Sequence, residues 1–148
     1  MSKDGLSDAD IRSIFEKVRV IALIGASTNP EKPSNYVGAF LQQKGYRVIP
    51  INPGATGQEI NGEKTYASLA DIPEKIDMVD VFRPADAAPG IVDDVLALED
   101  RPSVIWLQSG IVNDEAAEKA RAAGITFVQD RCPRIEIPRL AIAGAAAN

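Results

Sequence analysis

A turn of small residues follows the first strongly apolar run of the chain, and its residue types suit the binding of phosphate. The run Val20-Ile21-Ala22-Leu23-Ile24 is continuously apolar, as expected for a strand buried on both faces of a parallel sheet. Gly25-Ala26-Ser27 comes next, and a helical pattern begins at Ser34. Because a strand–turn–helix junction offers backbone N–H groups and the positive end of a helix dipole, we predict a phosphate-bearing, nucleotide-type ligand at this turn.

Four further segments follow predicted strands and should lie at the same edge of the sheet, near the point where the strand order reverses. They carry mostly small, amide and hydroxyl side chains, together with two arginines. These segments are Asn52-Pro53-Gly54, Arg83-Pro84, Gln108-Ser109-Gly110 and Asp130-Arg131-Cys132. Such side chains let the backbone approach a ligand and supply hydrogen bonds, but they include few general bases. The pattern therefore favours ligand binding at this edge.

The turn does not match the usual dinucleotide or triphosphate motifs. In the pattern G-x-G-x-x-G, Gly25 fills the first position, whereas Ser27 and Pro30 stand at the other two. Asn52-Pro53 lies where an NAD site would have an acidic residue for the ribose hydroxyls, and no G-x-x-x-x-G-K-[ST] segment occurs. The site therefore suits phosphate but fits NAD, or ATP with magnesium, poorly.

Each of these residues also has a purely structural interpretation. Ser27 could cap the following helix, and Asn52-Pro53 could be only a turn. Lys32, a candidate contact for the ligand, could be an ordinary surface lysine. Arg83 could pair with a neighbouring carboxylate instead of a phosphate, and Gln108 is as compatible with packing as with ligand contact. The sequence favours ligand contact for the turn because the other strand ends agree with it.

The composition excludes several common kinds of catalysis. The 148 residues include no histidine and a single cysteine, Cys132. Without histidine there can be no Ser-His-Asp or Cys-His pair, no histidine acid–base catalysis and no histidine metal ligand. We therefore predict no catalytic residue and no metal site. A thiol ligand could form a mixed disulfide with Cys132, although an inert cysteine is the commoner case.

The charge balance argues against nucleic acid as a partner. Sixteen Lys and Arg stand against 21 Asp and Glu, which gives a formal net charge of −5, and no basic cluster occurs. No apolar run approaches the ~18 residues that a membrane helix requires. The N-terminus lacks the pattern of a signal peptide, and one cysteine cannot form an internal disulfide. These features predict a cytoplasmic protein that does not bind membranes.

Hydrophobic periodicity predicts alternating strands and helices. Strands are expected at residues 20–24, 46–51, 78–82, 103–107 and 125–128, and helices at about 8–17, 34–44, 85–98 and 113–123. Helical crossovers between strands imply a parallel sheet. The predicted fold class is therefore α/β: a Rossmann-like open parallel sheet of about five strands with helices on both faces. We expect residues 1–148 to form one domain, with 1–6 and 141–148 as candidates for disorder.

Several segments resemble those of the stand-alone CoA-binding domain proteins, which are similar in fold to the N-terminal CoA-binding domain of the succinyl-CoA synthetase α-subunit. The resemblance covers roughly residues 14–140 and is most specific where its segments occur in combination. It rests on Ile24-Gly25-Ala26-Ser27, Lys32-Pro33-Ser34, Gly45-Tyr46-Arg47-Val48-Ile49-Pro50-Ile51-Asn52-Pro53, Val81-Phe82-Arg83, Trp106-Leu107-Gln108-Ser109-Gly110 and Asp130-Arg131-Cys132.

The resemblance implies that coenzyme A or acyl-CoA binds across the strand ends. The turn Gly25-Ala26-Ser27 would then line the phosphate-bearing part of the ligand. Asn52 and Pro53 would lie against the 3′-phospho-ADP moiety, with Phe82 and Arg83 beside it. Gln108 and Gly110 would lie near the pantetheine side.

Three functions remain open at this stage. The first is a non-catalytic CoA-binding protein whose state is sensed by an unidentified protein partner, and it is the one we favour. The second is a component of an acyl-CoA ligase or transferase that supplies CoA to a partner subunit. The third is an NAD-binding, redox-sensing module, which the missing glycines and acidic residue disfavour. A monomer or small homo-oligomer is expected.

Overall fold

The computed structural model describes residues 4–145, and these form an α/β structure around a parallel sheet. The strands are β1 (Val20–Ile24), β2 (Arg47–Ile51), β3 (Glu59–Ile60), β4 (Glu63–Lys64), β5 (Met78–Val81), β6 (Val104–Leu107) and β7 (Thr126–Val128). The α-helices are α1 (Asp8–Lys17), α2 (Pro33–Gln43), α3 (Ala88–Leu96), α4 (Asp114–Ala122) and α5 (Pro133–Arg139). The predicted fold class is confirmed, and the five predicted strands occur with only small shifts at their ends.

The parallel sheet has the order β2-β1-β5-β6-β7. The chain runs outward from β1 to β2, returns across the sheet to β5, and continues outward through β6 to β7. Strand order therefore reverses between β1 and β5, whose register pairs Ile24 with Val81. This reversal is the feature of the fold that creates a crevice at the strand ends.

Two hydrophobic layers cover the sheet because its strands are apolar on both faces. One layer includes Ile11 and Phe15 of α1 and Leu41 of α2, and it surrounds the fully buried Trp106. The Phe15 and Trp106 rings lie 5.2 Å apart between centroids. The other layer packs α3 and α4 on the opposite face. Each fully buried large side chain contributes roughly 1.5–3 kcal/mol relative to exposure, so the sheet is a rigid support for its edge loops.

Two elements differ from the sequence-based expectation. The tight hairpin of β3 and β4, which turns at Asn61-Gly62, was not among the predicted strands. Helix α5 was not among the helices that periodicity predicted. It spans 7 residues, begins at Pro133 and contains Pro138, so it is too short and too rich in proline to show a clear helical period.

Parts of both termini are packed on the domain, although residues 1–6 and 141–148 were candidates for disorder. The Asp4 carboxylate is fully buried and accepts hydrogen bonds from the Arg131 guanidinium at 2.8 and 3.0 Å. Ile142 lies in the core, and the Ala145 N–H donates to the Lys44 carbonyl at 2.9 Å. An ion pair and a single apolar residue are sufficient anchors, and neither has a periodic signature. Residues 1–3 and 146–148 lie outside the described residues.

Within residues 4–145, no helix is both long enough and apolar enough to cross a membrane.

Candidate functional site

The segments after β1 and β5 flank the crevice where the strand order reverses. Gly25 follows β1 with a φ of +86°, and a Cβ atom at this position would collide with the backbone carbonyl oxygen of Phe82. The Phe82 N–H donates to the Ile24 carbonyl at 2.8 Å, which holds the two segments side by side. Both the backbone conformation and the close approach require glycine. Gly25 therefore lets the two loops pack together at the carboxyl ends of the central strands.

The hydrogen bonds of the Gly25-Ala26-Ser27 turn differ in part from the sequence-based expectation. The N–H groups of Gly25 and Ala26 both donate to the Ile51 carbonyl, at 3.1 and 3.2 Å. They are therefore committed to β2 and not free for a ligand. Within residues 4–145, the N–H groups of Ser27 and Thr28 have no hydrogen-bond acceptor. The N–H donors available to an anion are therefore those of Ser27 and Thr28, and not those of Gly25 and Ala26.

Two asparagine amides fix this loop from behind. Asn52 Nδ2 donates to the Ala26 carbonyl at 2.8 Å, and Asn35 Nδ2 donates to the Ser27 carbonyl at 2.8 Å. The other side-chain group of Asn52, Oδ1, accepts from the Gly54 N–H at 2.8 Å. Because both polar groups of the Asn52 side chain have protein partners, this residue builds the loop geometry. Its neighbour Pro53 is exposed at the same edge.

An open groove of about 1460 Å³ runs along the carboxyl ends of the strands. This volume exceeds the roughly 300–1,000 Å³ usual for small-ligand pockets, so the groove can take a long ligand. The walls come from the strand-end loops, from α2 and α5 on one face, and from α3 on the other. The lining residues include Ile24, Gly25, Ala26, Ser27, Lys32, Tyr36, Phe40, Asn52, Pro53, Leu69, Phe82, Arg83, Ile91, Asp94, Gln108, Cys132, Arg134 and Ile135.

The charged side chains of this groove are mostly cationic. Lys32, Arg83 and Arg134 line it together with one carboxylate, Asp94. Within the part of the chain that the structure describes, none of the three cations forms a salt bridge or donates a hydrogen bond. The Arg134 guanidinium lies 5.3 Å from the centroid of the Tyr36 ring, which leaves its N–H groups free. The groove is thus a positive region in a protein whose formal net charge is −5.

The residues predicted from the sequence as ligand contacts assemble here with one exception. Nine of them line the groove: Gly25, Ala26, Ser27, Lys32, Asn52, Pro53, Phe82, Arg83 and Gln108. Gly110 does not line it. The Gly110 backbone N–H donates to Asp130 Oδ1 at 2.6 Å, and this bond ties the loop after β6 to the loop after β7. Gly110 therefore stabilises the contact between these two loops and does not face the groove.

Arg131, one of the two arginines at the predicted edge, has a structural role. Its guanidinium pairs with Asp4 on one side and with Glu136 Oε1 at 2.7 Å on the other, and its side chain is 9% exposed. The hydrogen bonds that Arg131 donates to both carboxylates raise its pKa above the already high ordinary value, so it stays charged. Its charge is compensated inside the protein, and the groove obtains its third cation from Arg134 instead.

Comparison with known protein families identifies the domain. Residues 19–138 match the model of a family described as a CoA binding domain, and this span contains every strand of the parallel sheet. The chain belongs to the CoA-binding domain family. The resemblance inferred from the sequence is thereby confirmed.

Relatives of this CoA-binding domain include both small proteins and parts of ligases. The uncharacterized protein YneT of Bacillus subtilis (strain 168) is 36% identical over 129 residues, which cover 87% of this chain and 93% of YneT. The solved structure of a hypothetical protein from Pyrococcus horikoshii OT3 has a TM-score of 0.88 at 39% identity, with 95% of this chain and 96% of that chain covered.

The ligase relationship is confined to one region. Acetate–CoA ligase (ADP-forming) II of Archaeoglobus fulgidus is 34% identical over 85 residues, which are 56% of this chain and 12% of the ligase. The CoA-binding domain is therefore homologous to a small part of that enzyme.

The sequence did not reveal two polar residues that line the groove, Arg134 and Tyr36, or the buried Asp80 behind it. Arg134 and Tyr36 lie on short helical segments whose mutual contact could not be foreseen. Asp80 lies directly behind the lining residue Gln108, whose Nε2 donates to Asp80 Oδ1. The available signal for Asp80 was a single acidic residue inside an otherwise apolar strand, Met78-Val79-Asp80-Val81-Phe82.

Proposed function

We propose that this CoA-binding domain holds coenzyme A or acyl-CoA along the groove and does not catalyse a reaction on it. The observation that carries the proposal is the placement of charge. Lys32, Arg83 and Arg134 line the groove without an ionic partner among residues 4–145, in a protein of net charge −5. CoA carries a diphosphate and a 3′-phosphate, which would supply the missing counter-charges.

The loop after β1 suits the diphosphate. The N–H groups of Ser27 and Thr28 lack acceptors within the described residues, and successive free N–H groups form a concave site for anions. Lys32 lies on the same loop, immediately before α2. Because the asparagine amides behind the loop hold its carbonyl groups, little reorganisation is needed to bind a phosphate.

Apolar walls on the two sides of this loop suit the other parts of CoA. Leu69 and Ile91 line one side beside the Asp94 carboxylate, an arrangement that would accept a flat base carrying an amino group. Tyr36 and Ile135 line the other side and are large hydrophobic side chains with 40% and 60% exposure. Ligand binding would cover them, which is a favourable hydrophobic contribution.

The reactive groups present favour binding over catalysis. The groove-lining thiol is Cys132, and burial raises the pKa of this thiol above its ordinary value. A neutral thiol is a weak nucleophile. The chain has no histidine to act as a general base or to carry a phosphoryl group. The domain can therefore hold and orient a thiol or thioester without an evident group to attack it.

A second candidate is the supply of CoA to a separate ligase or transferase subunit. It is favoured by the 34% identity to part of acetate–CoA ligase (ADP-forming) II of Archaeoglobus fulgidus. An NAD-binding role is disfavoured, because Asn52 and Pro53 occupy the place of the acidic residue that would hold the ribose hydroxyls. CoA has a 3′-phosphate where NAD has a ribose hydroxyl, and that group needs a cation instead.

Isothermal titration calorimetry with CoA, dephospho-CoA, NAD and ATP tests the proposal. We expect CoA to bind most tightly and dephospho-CoA to bind about tenfold more weakly, since one charged hydrogen bond contributes roughly 1.5–3 kcal/mol. Tighter binding of NAD than of CoA would refute the proposal.

A separate assay distinguishes binding from catalysis. Purified protein is incubated with acetyl-CoA, and the release of free thiol is followed over time. We expect no turnover above that of a buffer control, whereas protein-dependent turnover would show that the domain is an enzyme.

A further inference from the structure

Asp80 is an unusual residue for the centre of a parallel sheet. It lies in β5, where its register pairs it with Leu23 of β1 and Trp106 of β6, and it is 0% exposed. No lysine or arginine of residues 4–145 forms a salt bridge with it. One carboxyl oxygen, Oδ2, has no hydrogen-bond partner within the same residues. Buried polar groups of this kind are costly and rare, so they call for a functional reason.

The side chains around Asp80 connect it to the groove. Gln108 Nε2 donates to Asp80 Oδ1, and Gln108 lines the groove at the end of β6. Cys132 lines the groove and packs against the hydrophobic layer that contains Leu23 and Trp106, the register partners of Asp80. Asp80 therefore lies behind the wall that these two residues form.

The groove-lining side chains next to Asp80 favour uncharged forms. Burial raises the pKa of Asp80 well above its ordinary value, so the carboxyl group is protonated over a wider range of pH than an exposed aspartate. The same cause raises the pKa of Cys132. Gln108 carries no charge. Of the three cations of the groove, Arg134 lies near Cys132, and within residues 4–145 none of the three pairs with Asp80 or Gln108.

The bond to Asp80 also fixes the orientation of the Gln108 amide. Because Nε2 is held by the buried acid, the carbonyl oxygen Oε1 is the side-chain atom left to face a ligand. No donor of residues 4–145 bonds to this oxygen. A fixed amide carbonyl in a half-apolar groove is complementary to an amide N–H, and it would repel a phosphate.

Resting on the proposed function, we propose that Asp80 is a positioning residue, which holds Gln108 so that its carbonyl accepts an N–H group from the uncharged pantetheine arm of CoA. The groove then distinguishes complete CoA from its nucleotide half. Phosphate contacts then select the nucleotide, and the Asp80–Gln108 pair selects the amide-bearing arm.

Calorimetry with two ligands tests this role, because adenosine 3′,5′-bisphosphate lacks the pantetheine arm. The variant Asp80→Leu replaces the carboxyl group by an apolar group of the same branching and so releases Gln108. We expect CoA to bind about tenfold more weakly to it, equivalent to about 1.4 kcal/mol, while the affinity for adenosine 3′,5′-bisphosphate stays unchanged. Asp80→Asn retains one acceptor and one donor, as in the neutral acid, and should bind CoA like the wild type.

Further variants cover failure of Asp80→Leu to fold and provide a control. Gln108→Met removes the amide directly and should show the same selective loss of CoA affinity. Gln58→Ala removes an exposed glutamine away from the groove and should change neither affinity.

The outcomes separate the two proposals. Wild-type affinity for CoA in Gln108→Met, or an equal loss for both ligands, would overturn the positioning role while leaving CoA binding intact. If the wild type binds neither ligand, the proposed function itself fails, and the positioning role fails with it.

Discussion

Substitution of Gly25 by alanine should destabilise the domain strongly, because two separate costs coincide at this position. The backbone has a φ of +86°, a conformation that costs an L-residue about 1 kcal/mol or more. The new methyl group would also collide with the Phe82 carbonyl oxygen. Relief requires β1 and β5 to separate where the Phe82 N–H donates to Ile24 at 2.8 Å. Overpacking of this kind costs about 1–3 kcal/mol, so the total is about 2–4 kcal/mol.

Gly57 provides a matched control for this substitution. Its φ is +87°, almost the same as that of Gly25, but nothing lies within 4 Å of an added Cβ. Gly57→Ala should therefore lose only the conformational part, about 1 kcal/mol. Urea denaturation monitored by tryptophan fluorescence measures both variants, since the one tryptophan, Trp106, lies in the core. Equal losses of stability for the two variants would refute the assigned contact between Gly25 and the Phe82 backbone.

Three further predictions concern charge and ionisation in and behind the groove. Arg83→Ala should weaken CoA binding about tenfold and change stability by less than about 0.5 kcal/mol, because Arg83 has no described partner to lose. Calorimetry measures the affinity, and the control is Arg47→Ala, whose arginine pairs with Glu63 and Glu74. Equal affinities of Arg83→Ala and Arg47→Ala for CoA would exclude Arg83 from the site. Iodoacetamide should alkylate Cys132 slowly at neutral pH because burial raises the thiol pKa, and bound CoA should slow the reaction further. Intact-mass spectrometry measures the rate, and fast labelling that CoA does not affect would contradict the prediction. Between the ordinary carboxyl pKa near 4 and the raised pKa of Asp80, the unfolded state loses a proton that the folded state keeps, so wild-type stability falls as pH rises. Urea titrations should therefore show that Asp80→Asn gains stability relative to the wild type between pH 4 and pH 7. A difference in unfolding free energy that stays constant over this range would show that Asp80 is charged.

The sheet was predictable because its strands are short, continuously apolar runs separated by helical periods. The order of the strands placed their carboxyl ends together, which is why nine of the ten predicted contact residues line one groove. Helix α5 and the hairpin of β3 and β4 carry no such period. They form through local turn geometry and packing on the finished sheet, which a single sequence does not display.

The chemistry of individual residues depended on contacts between distant parts of the chain. Arg131 and Arg134 are equivalent in the sequence, but Asp4, 127 positions away from Arg131, neutralises only the former. The pairing of Asp80 with Gln108 joins two strands across 28 positions. The N–H groups of Gly25 and Ala26 were expected to be free, yet Ile51 accepts both. Each of these outcomes depends on contacts between segments that are distant in the sequence, which local patterns do not determine.

The central claim is that coenzyme A lies across the carboxyl ends of the strands, and nuclear magnetic resonance tests it most directly. A titration of ¹⁵N-labelled protein with CoA should shift the amide signals of Ser27 and Arg83, which line the groove, and of Thr28 next to Ser27. Signals of Gly45 and Gly124 should stay in place, because these residues precede β2 and β7 and lie at the amino ends of the strands. Absence of any shift, or shifts confined to the amino ends of the strands, would contradict the account.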